Sequence, residues 1–159
     1  MTVTIRPYRS GDRSALVALV TDVLRAFGFD AHVGGLEADL ASIDARYRDA
    51  GGGRGGFWIA DADGEVVGSV AIRPKGGAGA RAVCELKRLY VHPAARGQGL
   101  GQRLYDHAEA FARAAGYTRI WLDSSRRFTA ARRLYERNGF TLVEELDNDW
   151  EDNVYDKAL

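Results

Sequence analysis

Cysteine is nearly absent from these 159 residues, with Cys84 standing alone. No intrachain disulfide and no cysteine-based zinc cluster can therefore form. Charge of either sign is not in excess either. Lysine plus arginine and aspartate plus glutamate number 22 each, which argues against nucleic acid or an anionic membrane as partner, since both select for a basic surplus. Long apolar runs are missing. No window approaches the ~18 apolar residues of a membrane-spanning helix, and the opening "MTVTIRPYRSGD" is charged where a signal peptide would be apolar. A cytoplasmic protein is expected. His32, His92 and His107 lack metal-ligand spacing, so no metal is expected. No repeat or compositional break divides the chain, and a single domain over 1–159 is expected.

What is present is an alternation of strand and helix patterns. "VTIRPY" alternates at period two and reads as a strand. A helix then places Leu16, Leu19, Val20, Val23, Leu24 and Phe27 on one face, with Ser10 or Asp12 near its N-cap and Gly28 as its stop. "LEADLASIDARYRDA" predicts a second, shorter helix. "FWIADADGEVVGSVAIRP" predicts a hairpin turning at Asp63-Gly64, and "AVCELKRLYV" another strand. A helix follows through about Ala115, then a strand at "TRIWLD", a helix at "TAARRLYERNG", and strands at "FTLVEEL" and "NVYDKAL". The order β-α-α-β-β-β-α-β-α-β-β makes an α/β layout with antiparallel and parallel parts in one sheet.

One stretch needs its own explanation. "RLYVHPAARGQGLGQRLYDHAEAF" ends a strand, alternates three glycines and opens a helix. Glycine at a helix start costs roughly 1 kcal/mol relative to alanine. The first helical N–H groups lack intrahelical acceptors and lie at the positive end of the helix dipole, so a strand, a glycine turn and a helix make an anion site. From Ala94 to Arg103 there is no acidic residue, and Arg96 and Arg103 are basic. A tight strand-to-helix connection is the plainer use of the same glycines. The dinucleotide fingerprint G-x-G-x-x-G does not fit, because Gln102 falls where the third glycine belongs, although Asp123 sits where a ribose-binding acid is wanted. The G-K-[ST] of a nucleotide-hydrolase loop is absent.

"Arg96-Gly-Gln-Gly-Leu-Gly101", directly after "LKRLYV", resembles the acetyl-CoA signature R/Q-x-x-G-x-G/A of the GCN5-related N-acetyltransferase (GNAT) superfamily. "AARRLYERNGF", Ala130 to Phe140, is similar to its second motif, A-x-x-L-Y-x-x-x-G-F. The resemblance extends along nearly the whole chain and implies a mixed, mostly antiparallel central sheet flanked by helices. It implies that backbone amides over Arg96, Gly97, Gln98, Gly99, Leu100 and Gly101 hold the cofactor's pyrophosphate. It also implies that the strand ending in Leu89, Tyr90 and Val91 splays from its neighbour and bonds the pantetheine arm. The implied reaction is transfer of an acetyl group from acetyl-CoA to a primary amine by direct attack through a tetrahedral intermediate, with no metal. A non-catalytic acyl-CoA-binding sensor or interaction module on the same fold is the alternative.

Acetyl transfer to an amine needs a deprotonated nucleophile, a polarised carbonyl and a proton for the departing thiolate. Glu85 lies eleven residues before Arg96, an offset resembling that of the general-base glutamate in histone-modifying members. Barring a bulge, strand alternation puts Val83, Glu85, Lys87, Leu89 and Val91 on one face. Among apolar neighbours the Glu85 carboxylate would serve as base directly or through water; otherwise it pairs with Lys87, Arg88 or another charge. Tyr135 falls on the tyrosine of the second motif, which the family uses as general acid toward the coenzyme A sulfur. A phenol near pKa 10 is protonated at neutral pH and can donate; its plainer role is a core aromatic beside Leu134. A backbone N–H near Tyr90 or Val91 would meet the oxyanion. Cys84 reads as buried packing, without a partner to activate it, and His92 as a turn residue.

The second motif departs from the family at one point. Many members carry an asparagine three residues before the motif alanine, and here that position, ahead of Ala131, is Phe128. Arg126 or Arg127 would either reach the adenosine phosphates instead or be solvated charge. The fold places acceptors against the first two helices and the last strands, which singles out Phe27, Phe29, Asp30, His32 and Trp150 as lining. The acidic run Asp147, Asp149, Glu151 and Asp152 either draws a cationic amine or is a solvated turn. The acceptor is a small molecule, an amino acid or a peptide. Family members often dimerise, although no feature of this chain marks a dimer surface.

Overall fold

In a computed structural model of the chain, residues 2–29, 40–49, 52–76 and 81–159 are described. Seven strands form one sheet: β1 (Val3–Pro7), β2 (Gly56–Ala62), β3 (Glu65–Pro74), β4 (Val83–Val91), β5 (Arg119–Ser125), β6 (Thr141–Glu145) and β7 (Asp152–Ala158). Their spatial order is β1-β2-β3-β4-β5-β7-β6. Every neighbouring pair is antiparallel except β4 and β5. Helices α1 (Arg13–Ala26), α2 (Leu100–Ala114) and α3 (Thr129–Arg137) flank it.

Two apolar layers form where the helices meet the sheet. On one face α2 and α3 pack Leu100, Leu104, Tyr105, Ala108 and Leu134 over Ile72, Cys84, Leu86 and Ile120. On the other, α1 lays Leu16, Leu19, Val20, Val23 and Leu24 over Phe57, Ile59 and Ala71. Each fully buried leucine is worth roughly 1.5–3 kcal/mol relative to exposure. The apolar spacing of α1 thus matches its buried face. Asp12 stands at its N-cap position, and its carboxylate braces the short turn before the helix, accepting from the N–H of Arg9 at 2.7 Å and pairing with Arg6 at 2.8 Å.

The second helix takes a different form from the one expected. Its expected start, residues 36–39, and its expected last residue, 50, lie outside the described residues. The rest is a 3₁₀ turn, Leu40–Ser42, followed by a five-residue π turn, Asp44–Arg48, closed by Asp49 N–H to Asp44 O at 2.7 Å. The wide turn carries Tyr47 fully into the core, against Phe57.

Two irregularities in β4 shape everything near the site. Its pairing with β5 covers only Val83–Arg119, Cys84–Ile120 and Glu85–Trp121, and beyond Glu85 the two parallel strands part. Between Ser69 and Ala71 of β3, β4 spans Tyr90 to Lys87, so β4 holds one extra residue and Arg88 adopts φ +56°. The expected single face is therefore corrected. Glu85 and Lys87 share their face with Tyr90, whereas Leu89 and Val91 turn toward the α2–α3 layer, because one inserted residue inverts a period-two pattern.

Candidate functional site

The gap between β4 and β5 opens into a cavity of about 750 Å³. At one end stand the glycine turn and α2. Gly97 and Gly99 both have positive φ, +78° and +73°, which a side chain would strain, and a Cβ on either would meet nothing within 4 Å. Gly99 is the N-cap of α2, and the helix's first bond runs from Arg103 N–H to Gly99 O. The N–H groups of Leu100, Gly101 and Gln102 precede it and so have no partner within the helix. At Gly101 a Cβ would lie 3.5 Å from Leu134 Cδ1, so neither packing nor φ requires glycine there. Arg96, Arg133 and Arg137 line this end, and the arrangement suits a multiply charged anion such as a diphosphate.

Leu89, Tyr90 and Val91 line the middle of the cavity from one arm of the gap, and Asp123, Ser124 and Ser125 from the other. Tyr135 reaches the cavity from α3. Its ring packs against Phe140 and Tyr155. Burial, with a smaller push from Tyr90, drives its phenol above the usual range although Ser124 opposes the shift, so it carries its proton throughout the neutral range.

Of the expected cofactor contacts, Leu89, Tyr90, Val91, Arg96, Gly97, Gly99, Leu100 and Gly101 line the cavity, and Gln98 does not. Phe27 and Trp150 line it too. Phe29 instead stands behind them, stacked on Trp150 at 4.8 Å and Phe128 at 5.8 Å between centroids. Asp30 and His32 lie outside the described residues. Phe128, where the family often has asparagine, packs edge-on to Phe27 at 4.8 Å. The position thus extends an aromatic wall in place of an amide.

Glu85 does not have the apolar surroundings expected for it. Its carboxylate is buried, yet it lies 2.7 Å from Arg73 Nη2 and 3.6 Å from Lys87 Nζ, and it is not among the side chains lining the cavity. Arg73 is the neighbour sequence reading missed. Its register opposite Glu85 depends on strand pairing, which spacing along one strand does not reveal.

The other candidates fall into structural places. Arg126 bonds Asp152 O, Asn153 Oδ1 and Leu146 O. Arg127 pairs with Glu151 at 2.7 Å and lies over the Phe29 ring. Arg133 and Arg137, one turn apart on α3, line the cavity beside Arg96 instead. Of the acidic run, only Asp152 lines the cavity; burial and then Asp123 push its carboxyl up, while Asn148 opposes the shift. Cys84 is buried, its thiol pushed up to about 12 by burial. His92 Nδ1 accepts from Ala94 N–H at 3.1 Å, capping the turn before the glycines. Among the described residues, no three His, Cys, Asp or Glu side chains could hold a metal, and no helix is long and apolar enough to cross a membrane.

Comparison with known proteins converges on one group. Residues 16–140 match the model of the Acetyltransferase (GNAT) family. The uncharacterised N-acetyltransferase YjgM of Escherichia coli K12 is 32% identical over 133 residues, spanning 84% of this chain and 78% of its own. An acetyltransferase structure from Streptococcus agalactiae superposes with TM-score 0.85 at 28% identity, covering 99% of this chain and 98% of that one. The structure of YncA from Salmonella typhimurium, solved with its cofactor acetyl-CoA, has the same fold, with TM-score 0.77 at 23% identity over 99% of this chain and 94% of its own.

Proposed function

The chain belongs to the acetyltransferase (GNAT) family, and from that premise we propose that it transfers an acetyl group from acetyl-CoA to a primary amine by direct attack through a tetrahedral intermediate. One observation carries the reading: a single cavity joins the glycine-rich mouth of α2, the parted strands and the buried Tyr135 phenol. When bound, acetyl-CoA supplies the thioester whose acetyl group is transferred. The amides from Arg96 to Gly101 would hold its diphosphate, with Arg133 and Arg137 adding charge. The freedom from packing at Gly101 leaves ligand approach as its use.

The parted arm Leu89–Val91 would offer its main chain to the pantetheine, because the strand lacks a β5 partner there. A main-chain N–H near Tyr90 would meet the developing oxyanion. As the amine nitrogen bonds the carbonyl carbon and the C–S bond breaks, Tyr135 would give its proton to the leaving sulfur, and the amine would lose one to solvent. Glu85, behind Arg73 and Lys87, would accept a proton only through an intervening water; its direct role is to hold those two cations in place.

Release of free thiol from acetyl-CoA in the presence of primary amines tests the reading. Amine-dependent release supports it. Tight acetyl-CoA binding without release to any amine would make the protein a non-catalytic acyl-CoA binder.

A further inference from the structure

We propose that the acceptor is a small α-amino acid: its amine is held by Asp123 and Asp152, and its carboxylate by Arg46, Arg73 and Lys87. The inference rests on the acetyltransferase reading and narrows it to a substrate class.

The cations at this end are not placed for the diphosphate. Arg73 pairs across the sheet with Glu85, six residues back along β4 from Val91. At ~3.3 Å per residue that is roughly 20 Å from the strand end that leads into the glycine turn. Phosphates held at α2 would therefore lie well away from Arg73. Something else must account for Arg46, Arg73 and Lys87, which line the cavity together with Arg88.

Their charges are only partly balanced. Arg73 and Lys87 share the single carboxylate of Glu85, and Lys87 reaches Asp123 only at 4.0 Å. Arg46 lies on the π turn, lines the cavity, and has no ion-pair partner among the described residues. Among the described residues Glu85 is the one carboxylate within 3.6 Å of these three cations, which leaves a positive surplus on the β3–β4 side. Across the gap, Asp123 on β5 and Asp152 at the start of β7 present acid to the same cavity.

The Lys87–Asp123 contact spans the gap, so the two signs face each other over a distance that one small molecule can bridge. An ammonium and a carboxylate carried by one α-carbon match this polarity. A simple amine leaves the cations unanswered, a diamine sets a second positive charge against them, and a peptide N-terminus replaces the nearby carboxylate by an amide. Phe27, Phe128 and Trp150 offer an apolar wall for the side chain. A site built for a charged group discriminates strongly against analogues lacking it, because its own charges are then left desolvated and unpaired.

The test measures thiol release with the standard L-amino acids and, for each one acetylated, with its decarboxylated amine and its α-amide. Calorimetry reports acetyl-CoA binding separately. We expect kcat/KM for the free amino acid to exceed both analogues by at least about tenfold, chiefly through KM. In Arg46→Met and Lys87→Met the preference should shrink to within about twofold while acetyl-CoA affinity is retained. Equal or better use of the decarboxylated amines or amides overturns the amino-acid assignment and leaves the acetyltransferase standing. Failure to bind acetyl-CoA, or binding without acetylation of any amine, overturns both.

Discussion

Ser69 Oγ donates a 2.7 Å hydrogen bond to the carbonyl oxygen of Arg88. Ser69 is fully buried on β3, and Arg88 is the residue of β4 whose φ is +56°. A non-glycine residue in that region costs on the order of 1–3 kcal/mol and persists only where its surroundings hold it. The serine is one such hold. It ties down the bulge that turns Tyr90 to the face of Glu85 and Lys87, and Leu89 and Val91 to the other.

Ser69→Ala should therefore destabilise the protein by about 1 kcal/mol, the typical worth of the hydrogen bond it removes. Denaturant unfolding measures it. If the variant keeps wild-type stability, the bulge is held by other contacts.

Tyr135→Phe should lower kcat by about a hundredfold, in the range of a lost general acid, with acetyl-CoA affinity close to unchanged. Because the phenol is pushed above its usual value, mainly by burial, its proton should stay in place well past neutrality. The rate should then show no decline due to Tyr135 between pH 7 and about 9.5. A wild-type decline near pH 8 that disappears in the phenylalanine variant would contradict this protonation state.

Gly99→Asp places a carboxylate at the N-cap of α2 and forces a β-carbon onto φ +73°. Acetyl-CoA affinity should fall at least about tenfold, since like charge would face the diphosphate. Gly99→Asn, nearly isosteric and tolerant of that φ, separates charge from strain, and its affinity should lie between wild type and the aspartate variant. Equal affinities for the two variants would leave charge without a role.

Arg133→Gln should weaken acetyl-CoA binding by about threefold to tenfold at low salt, with the difference shrinking as salt rises. Titration calorimetry at two ionic strengths is the measurement. Unaltered affinity at both would place the guanidinium away from the phosphates.

Asp12 links stability to pH. Its carboxyl lies below the usual range, chiefly through its hydrogen bond to Arg6, while burial opposes the shift. A lowered folded-state value means that its contribution is complete above the unfolded value of ~3.9 and is lost as pH falls through the folded one. Asp12→Asn should thus cost stability at pH 7, and the gap from wild type should narrow as pH falls below the unfolded value of ~3.9. A gap that stays the same size as the pH is lowered through the acid range would assign the effect to packing.

Much of the glycine-turn end of the cavity was legible because it depends on neighbours in sequence. Gly97 and Gly99 sit in one turn, and the helix they open begins at the next residue, so local chemistry and local geometry coincide. The apolar face of α1 followed from its spacing for the same reason. The fate of Glu85 was not legible, since Arg73 is brought to it by antiparallel pairing between β3 and β4. Arg126 and Arg127 were candidates by position in the chain, yet their partners come from residues 146–153, a segment adjacent only once β5 and β7 pair.

The amino-acid order by itself determined most of the elements, the glycine-rich mouth of α2 and the family, because helix periodicity, turn chemistry and the two motifs are all short-range. Tertiary structure alone decided which side chains gather at the β3–β4 side of the cavity. One extra residue in β4 inverts a face, and the loss of β4–β5 pairing after Glu85 opens the cavity. Strand register is a relation between distant segments, set by what all the faces can bury together, and no window along one strand contains it.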